Sequence, residues 1–149
     1  MPTAEIGRWE FYIPDGWEFK DQGIGVSYLE APDGTKGLYS KTIKSDPPEA
    51  SAQELAEYVQ TVHQGGFEAD PDADWAVVLR SGKREGDLYR SLLDLWDESS
   101  QYRVLSVVLC NEHQALHLTM HDYACASHEA ESSPFVEIER SARLAAGAA

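Results

Sequence analysis

The sequence predicts an α+β fold built on a mainly antiparallel sheet with two helices. Three observations predict it. Between residues 75 and 122 apolar and other side chains alternate with the period of two that marks half-buried strands. Ser51-x-x-Glu54 is a capping box, and apolar residues follow it at helical spacing. Ser133-Pro134 opens a second helix, with serine as cap and proline at the first helical position. The chain has 149 residues, the size of one domain, and shows no linker or repeat, so 1–149 is expected to be a single unit.

Element by element, Trp9, Phe11 and Ile13 alternate along a first strand over 8–13, and Pro14-Asp15-Gly16 turns the chain. Ile24, Val26 and Tyr28 alternate again. Pro32-Asp33-Gly34 turns, and 37–43 returns as the second arm of a hairpin. Pro47-Pro48 ends that strand in a loop. The first helix is expected over 51–64, with Leu55, Tyr58, Val59 and Val62 on its apolar side and Gly65-Gly66 stopping it. Residues 75–80 read as a strand and Ser81 to Gly86 as a polar turn. Residues 87–97, 102–110 and 113–122 read as a meander of three strands, although 113–122 also suits a helix. In the last helix Phe135, Ile138 and Ala142 mark the buried side, and 145–149 are expected to fray.

Composition narrows the function classes. The net charge is −14, from 26 acidic against 12 basic residues. Nucleic-acid binding needs cations to neutralise phosphates, and anionic membranes favour them too, so neither partner is expected. A basic partner would be steered in, although the charge also serves solubility alone. Residues 1–5 carry neither a basic start nor an apolar run, and no segment reaches the roughly 18 apolar residues of a membrane span, so a cytoplasmic address is expected. Cys110 ends the apolar run Val107-Val108-Leu109 and reads as a buried small hydrophobe, while Cys125 falls in a loop. A disulfide between them is disfavoured by that address.

The chemical motifs fail on inspection. Asp70, Asp72 and Asp74 have calcium-loop spacing, but the sixth and twelfth positions are Trp75 and Ser81 instead of glycine and glutamate. His113, His117 and His121 would share one face of a helix. In a strand four residues span about 13 Å, too far for one ion. Gly82-Lys83 lacks the other residues of a phosphate loop. Gly23-x-Gly25 has Tyr28 where a dinucleotide fingerprint has glycine, and Gly25-Val26-Ser27-Tyr28-Leu29 breaks the nucleophile-elbow pattern at its last position. No catalytic set, metal or cofactor is therefore expected.

Strand periodicity also sorts the meander into two faces. Pairing Asp97 with Tyr102, and Cys110 with His113 across an Asn111-Glu112 turn, puts Leu88, Leu92, Trp96, Leu105, Val107, Leu109, Leu116, Leu118 and Met120 on one face. Arg90, Asp94 and Arg103 intrude there, with Asp94 and Arg103 close enough to satisfy each other. The opposite face mixes aromatic, aliphatic and small polar residues. Its Tyr89, Leu93, Leu95, Tyr102, Val104, His117 and His121 are the candidate partner-binding residues. Either a helix covers that face or another protein does.

Phe11-Tyr12-Ile13-Pro14-Asp15-Gly16-Trp17, the helix opened by Ser51-x-x-Glu54, the antiparallel run from Trp75 to Tyr123 and the closing segment Pro134 to Leu144 together make the chain resemble the Mog1/PsbP-like family. The resemblance spans nearly the whole chain and rests on the order of elements more than on any signature. It implies an α/β/α sandwich and a non-enzymatic binding protein. Among bacterial members it looks most like the chaperones of type VI secretion effectors, which hold apolar segments on the sheet. The implied partner is a secreted effector, with a second copy of the chain also allowed. The strong acidity departs from those chaperones and equally fits an immunity protein facing a basic toxin. A ligand-binding domain or enzyme is a third expectation, motivated only by unassigned His, Asp and Tyr residues.

Overall fold

The alternation read in the sequence is realised as long antiparallel ribbons. The computed structural model describes residues 3–23, 26–44, 51–111, 114–125 and 133–145. In chain order the elements are β1 (Thr3–Ile6), β2 (Trp9–Tyr12), β3 (Glu18–Gly23), β4 (Val26–Glu30), β5 (Lys36–Lys44), α1 (Ala52–Glu68), β6 (Ala76–Glu85), β7 (Leu88–Asp97), β8 (Tyr102–Cys110), β9 (Gln114–Asp122), α2 (Ser133–Ser141) and β10 (Arg143–Leu144). Seven strands form one sheet in the order β3-β4-β5-β9-β8-β7-β6, and β1, β2 and β10 form a small second sheet. All their pairings are antiparallel.

The expected register holds between β7 and β8, where Asp97 pairs with Tyr102. Between β8 and β9 the turn lies further along. Cys110 pairs with Ala115, and Asn111 closes the turn by donating its N–H to the Gln114 carbonyl at 3.1 Å. The offset is two residues, so every side chain keeps the face expected of it. His113 lies outside the described residues, as do Ile24, Pro47-Pro48 and 146–149. The described end of the chain is tied down, since β10 pairs with β2 and the Ala145 N–H donates to the Arg8 carbonyl at 2.7 Å.

One face of the large sheet is the main core. Leu105, Val107, Leu109, Leu116, Leu118 and Met120 meet Trp9 and Phe11 of β2, Phe135 and Ile138 of α2 and Ala142 just beyond its end. The layer on this side is therefore a helix together with a three-stranded sheet. Its polar intrusions are each answered. Arg103 makes a two-pronged bond to Asp94, with Nε to Oδ1 at 3.0 Å and Nη2 to Oδ2 at 2.7 Å. Arg90 caps the C-terminal end of α2, donating to the carbonyls of Glu139 and Ala142, and also pairs with Glu85. A cation there satisfies carbonyls that the helix itself leaves open.

Three local expectations are corrected. Residues 81–85 are not a turn. β6 runs through them, and the chain turns at Gly86-Asp87, with Gly86 at φ +61°. The stretch looks polar because β6 is an edge strand, exposed along nearly its whole length. Gly82 is there because the Tyr89 ring crosses its position on β7. A Cβ on Gly82 would stand 1.9 Å from the Tyr89 hydroxyl. Gly65-Gly66 does not stop α1, which continues to Glu68. Phe67 earns that last turn by docking edge-on against Trp75, ring centres 4.9 Å apart, and the helix ends where the Ala69 N–H bonds back to the Gly65 carbonyl. The third correction concerns which side of α1 is buried.

Candidate functional site

Ser51 caps α1, its hydroxyl accepting from the Glu54 N–H at 3.2 Å. The helix lies on the second face of the sheet, over β7 and β8, but it does not present its large apolar residues there. Ala52, Ala56 and Gln60 are its buried positions. Small residues one turn apart let the helix sit close to the sheet. Leu55 and Val59 are then only half-buried at its flank, and Tyr58 and Val62 stay 69% and 58% exposed. The apolar stripe read in the sequence is present, but much of it faces an opening.

This placement divides the expected docking face. Tyr89, Leu93, Leu95 and Val104 are buried, with Phe67, Trp75 and α1 packed over them. Covered by the chain itself, they are not available to a partner, which corrects that part of the expectation. Tyr102, His117 and His121 lie where the cover ends. Beyond them β9, β5 and β4 carry the same face onward, and among the described residues no helix lies above it. The result is a groove between α1 and the β4–β5 side of the sheet. A cavity of about 300 Å³ is bordered by Val26, Tyr28, Tyr39, Lys41, His63 and His117. One of about 540 Å³ is bordered by Lys41, Ile43, Leu55, Tyr58, Val59, Val62, His63 and His117. The two share Lys41, His63 and His117, so they form one continuous trough.

Its walls are built by aromatic packing. Tyr28 stacks on Tyr39 at 4.3 Å, Tyr39 meets the edge of His121 at 5.3 Å, and Tyr102 packs against both His121 and Trp75. Offset and edge-on contacts at these separations are the favoured ones for rings. Gly37 makes the wall possible, because a Cβ there would sit 2.7 Å from the Tyr28 ring. Burial and hydrogen bonding push the phenols of Tyr28 and Tyr102 well above the usual range, so both stay neutral. Tyr102 shares a short 2.6 Å bond with His121 Nδ1.

Beneath the trough lies a closed hydrogen-bond network. Gln60 Nε2 donates to the carbonyls of Ser91 and Ser106, both at 3.2 Å. Its Oε1 must then accept, and it does so from the Ser106 hydroxyl at 3.0 Å. That hydroxyl has no second hydrogen, so it accepts from His63 Nδ1 at 3.0 Å and His117 Nε2 at 2.8 Å. The arrangement places a hydrogen on His63 Nδ1 and on His117 Nε2. Burial drives His63 down to about 4, His117 to about 3 and His121 to about 4, and the nearby Lys41 ammonium pushes the first two the same way. Ser106 is fully buried with its proton given to an amide, and His63 donates to it instead of accepting. This geometry aims no hydroxyl at a substrate.

The remaining sequence expectations fall elsewhere. The Asp70–Asp74 run is an exposed loop in which the Asp72 N–H bonds to the Asp70 carboxylate at 2.9 Å, and among the described residues no group of His, Cys, Asp and Glu is arranged to hold a metal. Cys110 and Cys125 are both buried and unpaired with each other. Cys110 donates to the Ala52 carbonyl, and burial pushes its thiol up to about 11. No described helix is long and apolar enough to cross a membrane. Tyr28, Tyr39, Lys41, Tyr58 and Val62 were not expected at a site. For Tyr58 and Val62 the sequence signal was the width of the apolar stripe on α1, broader than a flat sheet contact requires; Tyr28, Tyr39 and Lys41 on β4 and β5 had none.

No protein-family model matches the chain, and no curated protein matches it in sequence. Among solved structures, the solution structure of cyanobacterial PsbP (CyanoP) from Synechocystis sp. PCC 6803 superposes with a TM-score of 0.65 at 15% identity, covering 93% of this chain and 87% of that one. The likeness is one of architecture: the chain adopts a PsbP-like α+β fold.

Proposed function

We propose that the chain is a non-catalytic protein-binding module that takes an apolar segment of a partner into the trough between α1 and the β4–β5 side of the sheet. The observation carrying this reading is that helix and sheet turn apolar surface toward the same opening. Tyr58 and Val62 are exposed on one side, and exposed Tyr39 with half-buried Tyr28 stacked on it forms the other. Apolar surface rimmed by polar residues favours association. In this reading the chain is a chaperone or adaptor in the bacterial cytoplasm. It shields part of a secreted effector, the role that resemblance to type VI effector chaperones suggests. A second reading, immunity protein for a basic toxin, draws on the −14 charge. It differs in predicting association slowed strongly by salt.

The test is a photo-crosslinking residue at position 58 and, as a control, at position 83 on the far sheet edge, in the source cell. Partner crosslinks are expected from position 58 only. Val62→Glu should weaken capture at least about tenfold while shifting stability by no more than about 0.5 kcal/mol, as exposed substitutions do. Undiminished capture by Val62→Glu would move the docking site elsewhere.

A further inference from the structure

The trough is not uniformly apolar. Lys41 on β5 lies at the junction of the two cavities and, among the described residues, is the only cation bordering both. Its ammonium reaches His63 and His117 electrostatically, but no ion pair joins it to any carboxylate among the described residues. Asp21 borders one cavity without pairing to it. The imidazoles beneath are neutral, so they offer it no counter-charge. Lys41 is exposed, and in a chain where acidic residues outnumber basic ones 26 to 12 an ammonium with no ion-pair partner among the described residues, set beside apolar walls, is a recognition element left open. A lysine stem can lie along apolar surface, but a segment that covers its head must supply an acceptor or leave a buried charge unanswered.

We infer that the segment taken into the trough carries a carboxylate, an Asp or Glu side chain within an otherwise apolar stretch, that pairs with Lys41. This rests on the trough being the docking site. The pairing fixes the depth and direction of the segment, which apolar walls alone leave free to slide. It also selects one acidic group, because the surrounding −14 charge repels segments with many.

The test uses minimal probes, decanoate and decan-1-ol, titrated into the intact protein. Amide shifts at Lys41, Val62 and His117 in two-dimensional NMR report site and affinity together. Decanoate is expected to bind at least about tenfold tighter than the alcohol, as a charge-assisted hydrogen bond in a partly dry site provides. Lys41→Met should bring the two probes level, and Lys41→Arg should keep the preference. Equal binding of acid and alcohol to the wild type overturns the carboxylate inference and leaves the apolar docking site standing. A preference that survives Lys41→Met but is lost in Lys44→Met overturns the assignment to Lys41. No shift at these amides with either probe overturns the docking site and the inference together.

Discussion

Acidification should unfold this protein through its histidines, and the size of the effect follows from the network beneath the trough. His63, His117 and His121 are held neutral, at about 4, about 3 and about 4. In the unfolded chain each returns to about 6.5, so below that pH the unfolded state binds protons that the folded state refuses. Stability is therefore intact above about pH 6.5 and is lost as pH falls toward the folded values. At pH 5 an unfolded imidazole is almost fully protonated and each folded one is at most about a tenth protonated, which costs about 2 kcal/mol per histidine relative to pH 8. The three together remove about 6 kcal/mol, a large share of the roughly 5–15 kcal/mol that holds a domain folded. The figure hardly depends on how far below 5 the folded values lie. Glu139, whose carboxyl is raised by burial, works in the opposite direction and trims the total. Urea unfolding followed by tryptophan fluorescence at pH 8, 6.5 and 5 measures the loss. His117→Gln should remove about a third of the pH dependence, whatever it does to stability at pH 8. A free energy of unfolding that changes by less than about 1 kcal/mol between pH 8 and 5 would refute the neutral, desolvated histidines.

Two further outcomes test the packing on either side of the sheet. Asp94→Ala leaves the Arg103 guanidinium without its two-pronged acceptor and should cost about 3 kcal/mol or more in urea unfolding, whereas Asp94→Leu with Arg103→Met should cost less, because no charge is then stranded. Cys110 and Cys125 should both resist a disulfide reagent at pH 8 in the native state and react together once denaturant is added, since both thiols are buried and that of Cys110 is pushed up to about 11. Rapid labelling of Cys110 in the folded protein would contradict the seal that α1, through Ala52 and Ala56, makes over it.

The meander was legible because its strands are long and apolar, and side-chain parity across two short turns sorts their residues into two faces. Asp97 opposite Tyr102 and Asp94 beside Arg103 follow from period and turn length alone. Where a strand has no buried side, the record is lost. β6 is exposed on both faces, so its second half reads as a turn. β1, β3 and β10 were missed because two to six residues hold too few periods to register. The helix was legible in its cap and its length was not, because Phe67 finds its partner, Trp75, only in space. The candidate site fared worst. Tyr89, Leu93, Leu95 and Val104 sort correctly to the second face, but face membership cannot tell which half a helix will cover. That depended on Ala52 and Ala56, small residues whose effect is to rotate the larger ones toward the opening.

The two rims of the large sheet share a trait with consequences for how copies of the chain meet. β3 and β6 are its outermost strands, and each breaks step with its inner neighbour, at Lys20 and at Val78. A rim running in step from end to end would let one molecule's β6 zip onto the next one's β3, and since the two rims differ, such joining is head-to-tail and extends into a fibre wherever its rotation does not close a ring. The irregularities spoil that fit at both ends at once, so a concentrated, sticky-grooved protein is kept from polymerising through its own ribbons.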